Sequence, residues 1–188
     1  AQIVGLIRTL LLKRFESSAI SFQSSCEDLL LKLLYFVELH SAKTAQRWKD
    51  QHAALLQRIY EHLRQRNGNG SEEDFDEDVI PEEFKKRIDK LNEREYNTSE
   101  MVMDAMLDLD VLARFLGELA DFQPSNDDKL QTLLELMRND PILSQHKVLI
   151  FTEYRDTAQY IAEQLDLAGV RPIAEVDSLS KGGISETI

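Results

Sequence analysis

A mostly α fold that ends in a short βαβ unit is predicted for this chain of 188 residues. Three observations predict it. Apolar residues recur at three- and four-residue spacing along most of the chain before Pro141. A short run of β-formers, Val148-Leu149-Ile150-Phe151, follows as the one strong strand signal. A helix-patterned segment and a second apolar stretch come next, in the order strand, helix, strand.

The elements follow in chain order. From Ser17 onward, Phe22, Cys26, Leu29, Leu30, Leu33, Leu34, Val37 and His40 mark one face of a long amphipathic helix. Ala45, Trp48, His52, Leu55, Leu56, Ile59, Tyr60 and Leu63 repeat the spacing. Ser41 either caps a new helix or lies within a continuing one, so a helix pair and a bent helix both fit. Asn67-Gly68-Asn69-Gly70-Ser71 terminates this region, and the acidic run after it offers little apolar surface to bury. Residues 67–80 read as a flexible acidic joint. Pro81 suits a helical first turn, with Glu82 and Glu83 near its positive end and Phe84, Ile88 and Leu91 as a short stripe. A further helix starts near Thr98 or Ser99, carries Met103 through Leu119 and stops before Pro124. Ser125 or Asn126 then caps a helix through Met137 that Asn139-Asp140-Pro141 ends. After the Val148–Phe151 strand, Thr152 to Asp156 supply turn and cap residues. Ala158 to Leu167 form a helix ended by Gly169, and residues 170–176 form the second strand.

Composition narrows the function classes. The apolar share of 43% with 30% charged residues is that of a packed globular chain. Leu29–Leu34 is interrupted by Lys32 and is far short of the ~20 residues that cross a bilayer, so no membrane segment is expected. Ile3–Leu12 has the look of a signal core, but Arg8 interrupts it. With the single Cys26, this points to a cytoplasmic location and excludes an internal disulfide framework. A chain that begins at Ala1 and ends on Gly182–Ile188 reads as cut at both ends. The net charge of -12 argues against broad attraction to phosphates. Acidic residues crowd between Glu72 and Glu83, whereas Lys43, Arg47, Lys49, Arg58, Arg64 and Arg66 make the preceding stretch basic.

The chain contains no GxxxxGK[ST] phosphate loop, no GxGxxG after a strand, no HExxH and no paired cysteines. His40, His52, His62 and His146 lack metal-ligand spacing. In an open parallel sheet ligands bind beyond the carboxyl ends of strands, which singles out Thr152, Glu153, Tyr154 and Arg155 after the first strand and Asp177 and Ser178 after the second. The same residues also serve as turns and caps. Lys13 and Arg14 are placed to contact a phosphate or to pair with Glu16, the structural pair being the commoner case. Trp48 beside Lys43, Arg47 and Lys49 has the makings of a stacking surface for nucleic acid. A Trp at the core edge is the favoured reading, because helical spacing already accounts for it.

Two stretches resemble the Swi/Snf-type ATPases of helicase superfamily two, in particular the HepA-like (RapA-like) bacterial and archaeal group. One is Arg8 to Phe22, with Leu-Leu-Lys-Arg-Phe-Glu-Ser-Ser followed by Ser-Phe; the other runs from Asp128-Lys129-Leu130 to Leu165, with Lys147-Val148-Leu149-Ile150-Phe151-Thr152-Glu153-Tyr154. Residues 40–125 match only in being helical and charged. The resemblance implies that residues 1–125 form a long helical insertion and linker, and that residues 126–188 open an incomplete RecA-like α/β lobe, the second of the motor. It implies a parent that hydrolyses ATP with magnesium while moving on double-stranded DNA or acting on a DNA- or RNA-bound protein complex. The phosphate loop and magnesium motif of that family lie in the first lobe, so this chain is expected to bind no cofactor and to be inactive alone. Asp177-Ser178-Leu179-Ser180 stands where relatives often have Asp-Gly-Ser, and the arginine that usually follows is missing. Thr152 and its neighbours are the positions the resemblance carries over best, as cleft or strand-tracking residues. A rival reading is a helical protein–protein interaction module without catalysis, and a weaker one is a small nucleotide-binding regulatory domain. An incomplete lobe leaves a sheet edge unpaired, so self-association is expected as well.

Overall fold

A computed structural model describes residues 2–66 and 88–176, with side chains from 9 to 65 and from 88 to 176. Among them are seven α-helices and no strand: α1 (Gln2–Ser17), α2 (Ala19–His40), α3 (Ala42–Gln51), α4 (Ala53–Arg66), α5 (Thr98–Leu119), α6 (Asp128–Asn139) and α7 (Arg155–Leu167). The chain divides into two compact units. One takes Ala1–Ser24 together with Phe122–Ile188, the other Ser25–Asp121.

The unit Ser25–Asp121 is a helical assembly with an apolar interior. Leu30, Leu31, Leu34 and Val37 of α2, Ala45 and Trp48 of α3, Leu56, Ile59 and Leu63 of α4, and Ala105, Leu109, Leu112 and Leu116 of α5 are all buried. Most of these residues lie at the spacing that predicted helices, because a stripe at that period is what a helix hides from water; Leu31 and Ala105 are buried without having been marked, and the marked Met103, Leu107, Val111 and Phe115 are exposed. Ser41 separates α2 from α3 in a non-helical conformation, its hydroxyl bound to that of Thr44 at 2.7 Å. A single turn residue, His52, separates α3 from α4. Its N–H bonds the carbonyls of Trp48 and Lys49, and its ring stacks on Trp48 at 4.1 Å, so the two helices follow one another across a stapled break. Asn97 caps α5 by accepting the Glu100 N–H on its side-chain oxygen, and its side-chain amide donates to the Glu100 carboxylate.

Two polar contacts fix this interior. The Trp48 indole N–H donates to Asp110 at 2.9 Å. Glu27, buried on α2, meets the His62 ring at 2.6 Å. Next to it, burial and the Glu27 carboxylate push the Cys26 thiol up to about 11.

The other unit has a thinner core. Leu130, Tyr160 and Leu165 are its buried large apolar or aromatic residues among those described. Asp127 is its central polar group: one carboxylate oxygen caps α6 by accepting the Leu130 N–H at 3.0 Å, and the other accepts the Tyr160 hydroxyl at 3.1 Å. Burial and that carboxylate raise the Tyr160 hydroxyl well above its usual range. The cap is therefore Asp127, where Ser125 or Asn126 was expected; Pro124–Asn126 form instead a 3-10 turn. Asp140 and Pro141 end α6 as predicted. Gly169, at φ 81, closes α7, with its N–H on the Asp166 carbonyl and the Val170 N–H on that of Leu165.

The predicted βαβ unit is not seen. Its helix forms as α7, but Val148–Phe151 and residues 170–176 are not strands. A strand is held by hydrogen bonds to a neighbouring strand, and no second strand exists among the described residues to supply them. The helix expected from Pro81 lies mostly outside the described residues, and its last predicted positions, Ile88 and Leu91, are not helical. The acidic joint, 67–80, lies outside them as well. No described helix is long and apolar enough to cross a membrane.

Two measurements test this packing. Asp127→Ala removes a helix cap and strips the Tyr160 hydroxyl of its acceptor, so it should cost about 2–3 kcal/mol in urea unfolding against about 1 kcal/mol for Tyr160→Phe. The Cys26 thiol, protonated well past pH 8 and 1% exposed, should react with a disulfide reagent at pH 8 at least ~100-fold more slowly in the native chain than in denaturant.

Candidate functional site

Of the predicted site residues, six fall in one unit. Lys13 and Arg14 lie near the end of α1, Arg14 in its last turn, Thr152 to Tyr154 lead into α7, and Arg155 opens it. The Arg14 guanidinium lies over the Tyr154 ring, 4.7 Å from its centroid, a cation–π contact that joins the two groups. Thr152 folds its hydroxyl onto the Tyr154 N–H at 3.3 Å, forming the turn before the helix. Lys13, Glu153 and Arg155 are exposed. Asp177 and Ser178 lie outside the described residues.

Beneath Arg14 and Tyr154 is a cluster of hydroxyls that the sequence reading did not single out. Thr157, in the first turn of α7, is within 2.9 Å of both Ser17 and Ser18. Ser18 also accepts the Ser21 N–H at 3.0 Å and so caps α2. Thr157 has one hydroxyl proton and two hydroxyl partners, so at least one serine must donate to it. Lys129 adds a bond from its ammonium to the Glu16 carbonyl. The local signal was the Ser17-Ser18 pair after a helical stretch, a pattern that marks a helix break; its partner, about 140 residues away, has no local signal.

Among the described residues, no histidine, carboxylate or lysine is bonded to Ser17, Ser18 or Thr157. No group of three or more His, Cys, Asp or Glu among the described residues is placed to hold a metal ion. The arrangement does two things: it joins the end of α1 to the start of α7, and it presents Lys13, Arg14 and Arg155 around that junction.

The proposed stacking surface around Trp48 is not available. The ring is 1% exposed, stacked on His52 and bonded to Asp110, while Lys49 pairs with Glu38 at 3.0 Å. Helical spacing put Trp48 inside, and the basic residues flanking it stand at the surface without an aromatic face.

Replacing Thr157 by the isosteric Val should destabilise the chain by about 1–3 kcal/mol, because it leaves the buried Ser18 hydroxyl short of a partner. Arg14→Ala, at a partly exposed cation–π contact, should cost under about 1 kcal/mol. Chemical denaturation of the two variants gives the comparison. No protein-family model, curated protein or solved structure matches the chain.

Proposed function

We propose that this chain supplies the helical insertion and the beginning of the second RecA-like lobe of a Swi/Snf-type, ATP-dependent motor that moves on double-stranded DNA. One observation supports the reading above the others. The two stretches on which the resemblance rests, Arg8 to Phe22 and Asp128 to Leu165, are far apart in sequence yet pack into one unit through Ser17, Ser18 and Thr157, Arg14 and Tyr154, and Lys129 and Glu16. In such a motor the segment leaving the first lobe has to meet the opening of the second.

On this reading the exposed apolar run Val148–Phe151 is a strand whose neighbours come from the rest of the lobe, and residues 170–176 are its parallel companion. Lys13, Arg14 and Arg155 then face the cleft or the tracked strand of DNA, where cations neutralise phosphates. ATP binding and magnesium belong to the first lobe, and this chain's residues perform positioning and not hydrolysis.

A helical interaction module is the second reading, favoured by one feature of α5. Met103, Leu107 and Val111 recur at four-residue spacing on its exposed surface.

The motor reading predicts a phosphate loop and an acidic box in the reading frame upstream of Ala1. The protein carrying both should hydrolyse ATP several-fold faster with double-stranded DNA, and the 188 residues alone should not hydrolyse it. Robust turnover by the purified chain, or an upstream frame without a phosphate loop, would overturn it; the latter favours the interaction module.

A further inference from the structure

Helix α5 buries Ala105, Leu109, Leu112 and Leu116 on one side and leaves an apolar row bare on the side turned away from them. Met103 is 69%, Leu107 66% and Val111 39% exposed. At four-residue spacing the three form a single ridge, about 12 Å long at the helical rise. One exposed leucine is ordinary, but a ridge of three is the kind of surface a helix hides from water.

The rows that border the ridge are acidic. Glu100, Asp104 and Asp108 run along one side of it, and Asp110, Arg114 and Glu118 along the other, all of them exposed. The Glu100 carboxylate takes the Asn97 amide and that of Asp110 the Trp48 indole N–H. Asp104, Asp108 and Glu118 make no ion pair among the described residues, and Arg114 is the only base in either row.

Charge selects the occupant. Carboxylate borders repel phosphates and anionic headgroups, so neither nucleic acid nor an anionic membrane surface fits this ridge. A second copy laid ridge to ridge sets like charges together, on chains of net charge -12. A helix whose own apolar stripe runs between lysines and arginines fits on both counts: its stripe packs beside Met103, Leu107 and Val111, and its cations meet Asp104, Asp108 and Glu118.

We infer that the bare ridge of α5 with its acidic borders is a docking site for a basic amphipathic helix of a protein partner. The inference goes beyond the motor reading and rests on the interaction-module reading, which it narrows to one chemistry of partner.

The probe is a labelled synthetic helix of roughly 14 residues, four turns, with a leucine stripe bordered by lysines; its twin has glutamine for each lysine. Both are titrated by fluorescence anisotropy against the 188-residue chain in about 0.15 M salt, where only close charge pairs still count. The lysine helix should bind roughly three- to tenfold tighter than its twin. Asp104→Asn with Asp108→Asn should weaken the lysine helix by a similar factor and leave the twin within about twofold. Leu107→Ser should weaken both helices by about tenfold or more. All three side chains are exposed, so the helical circular dichroism should not change. Equal affinity for the two helices would sink the charge selection and leave the interaction-module reading standing, whereas failure of both to bind would remove the two together. A lysine helix indifferent to Leu107→Ser sits elsewhere on this acidic chain, which also overturns the inference. So does self-association of the chain alone that Leu107→Ser abolishes, since the ridge then belongs to a second copy.

Discussion

Backbone N–H and C=O groups that leave water must find partners, and a β-strand finds them only in another strand. A helix closes its hydrogen bonds within itself, so each helix of this chain forms from its own sequence and needs neighbours only to cover its apolar stripe. The segment Lys147–Thr152 has the composition of a strand and no second strand to bond among the described residues. What remains is an exposed, largely apolar run without regular structure between helices. The motor reading starts from that one deficit, which on it the rest of the lobe makes good.

The two units meet their stability requirement in different ways. Ser25–Asp121 buries leucines from three helices together with Trp48 of a fourth, and Trp48 bonds Asp110 while Glu27 bonds His62. The unit of Ala1–Ser24 with Phe122–Ile188 buries few apolar side chains among the described residues and relies on shared polar side chains: Asp127 serves α6 and Tyr160 together, and Thr157 serves Ser17 and Ser18. Polar junctions of that kind tolerate little alteration, because each side chain answers to two partners. Leu12, Phe15, Ile142, Leu149, Phe151 and Leu167 all remain exposed there.

Most of the helical fold was legible, since a three- and four-residue period is a local property: most buried apolar residues of α2 to α5 lie at the marked spacing, although Leu31 and Ala105 were not marked and Met103, Leu107, Val111 and Phe115, which were, stay exposed, and Gly169 and Asp140-Pro141 stop the helices they were expected to stop. The strands were not, because β-propensity at Val148–Phe151 states only that the segment fits a sheet. The cap of α6 was misplaced by one or two residues, as Ser125, Asn126 and Asp127 are all competent caps and the Tyr160 hydroxyl favours the last. The candidate site was half legible. Thr152 to Arg155 and Lys13 with Arg14 were named separately, but their meeting through Tyr154 and Thr157 depends on contacts across more than a hundred residues, for which one sequence carries no signal.

The burial of Trp48 has a spectroscopic consequence. It is the sole tryptophan of the chain, and it sits in the leucine-rich unit, so its emission reports on that unit alone. Far-ultraviolet dichroism, by contrast, sums the helices of both units. If heating moves the two signals together, the units melt as a single cooperative body; if the dichroism falls first, the hydroxyl-bonded unit loosens while the tryptophan still sits in its apolar setting.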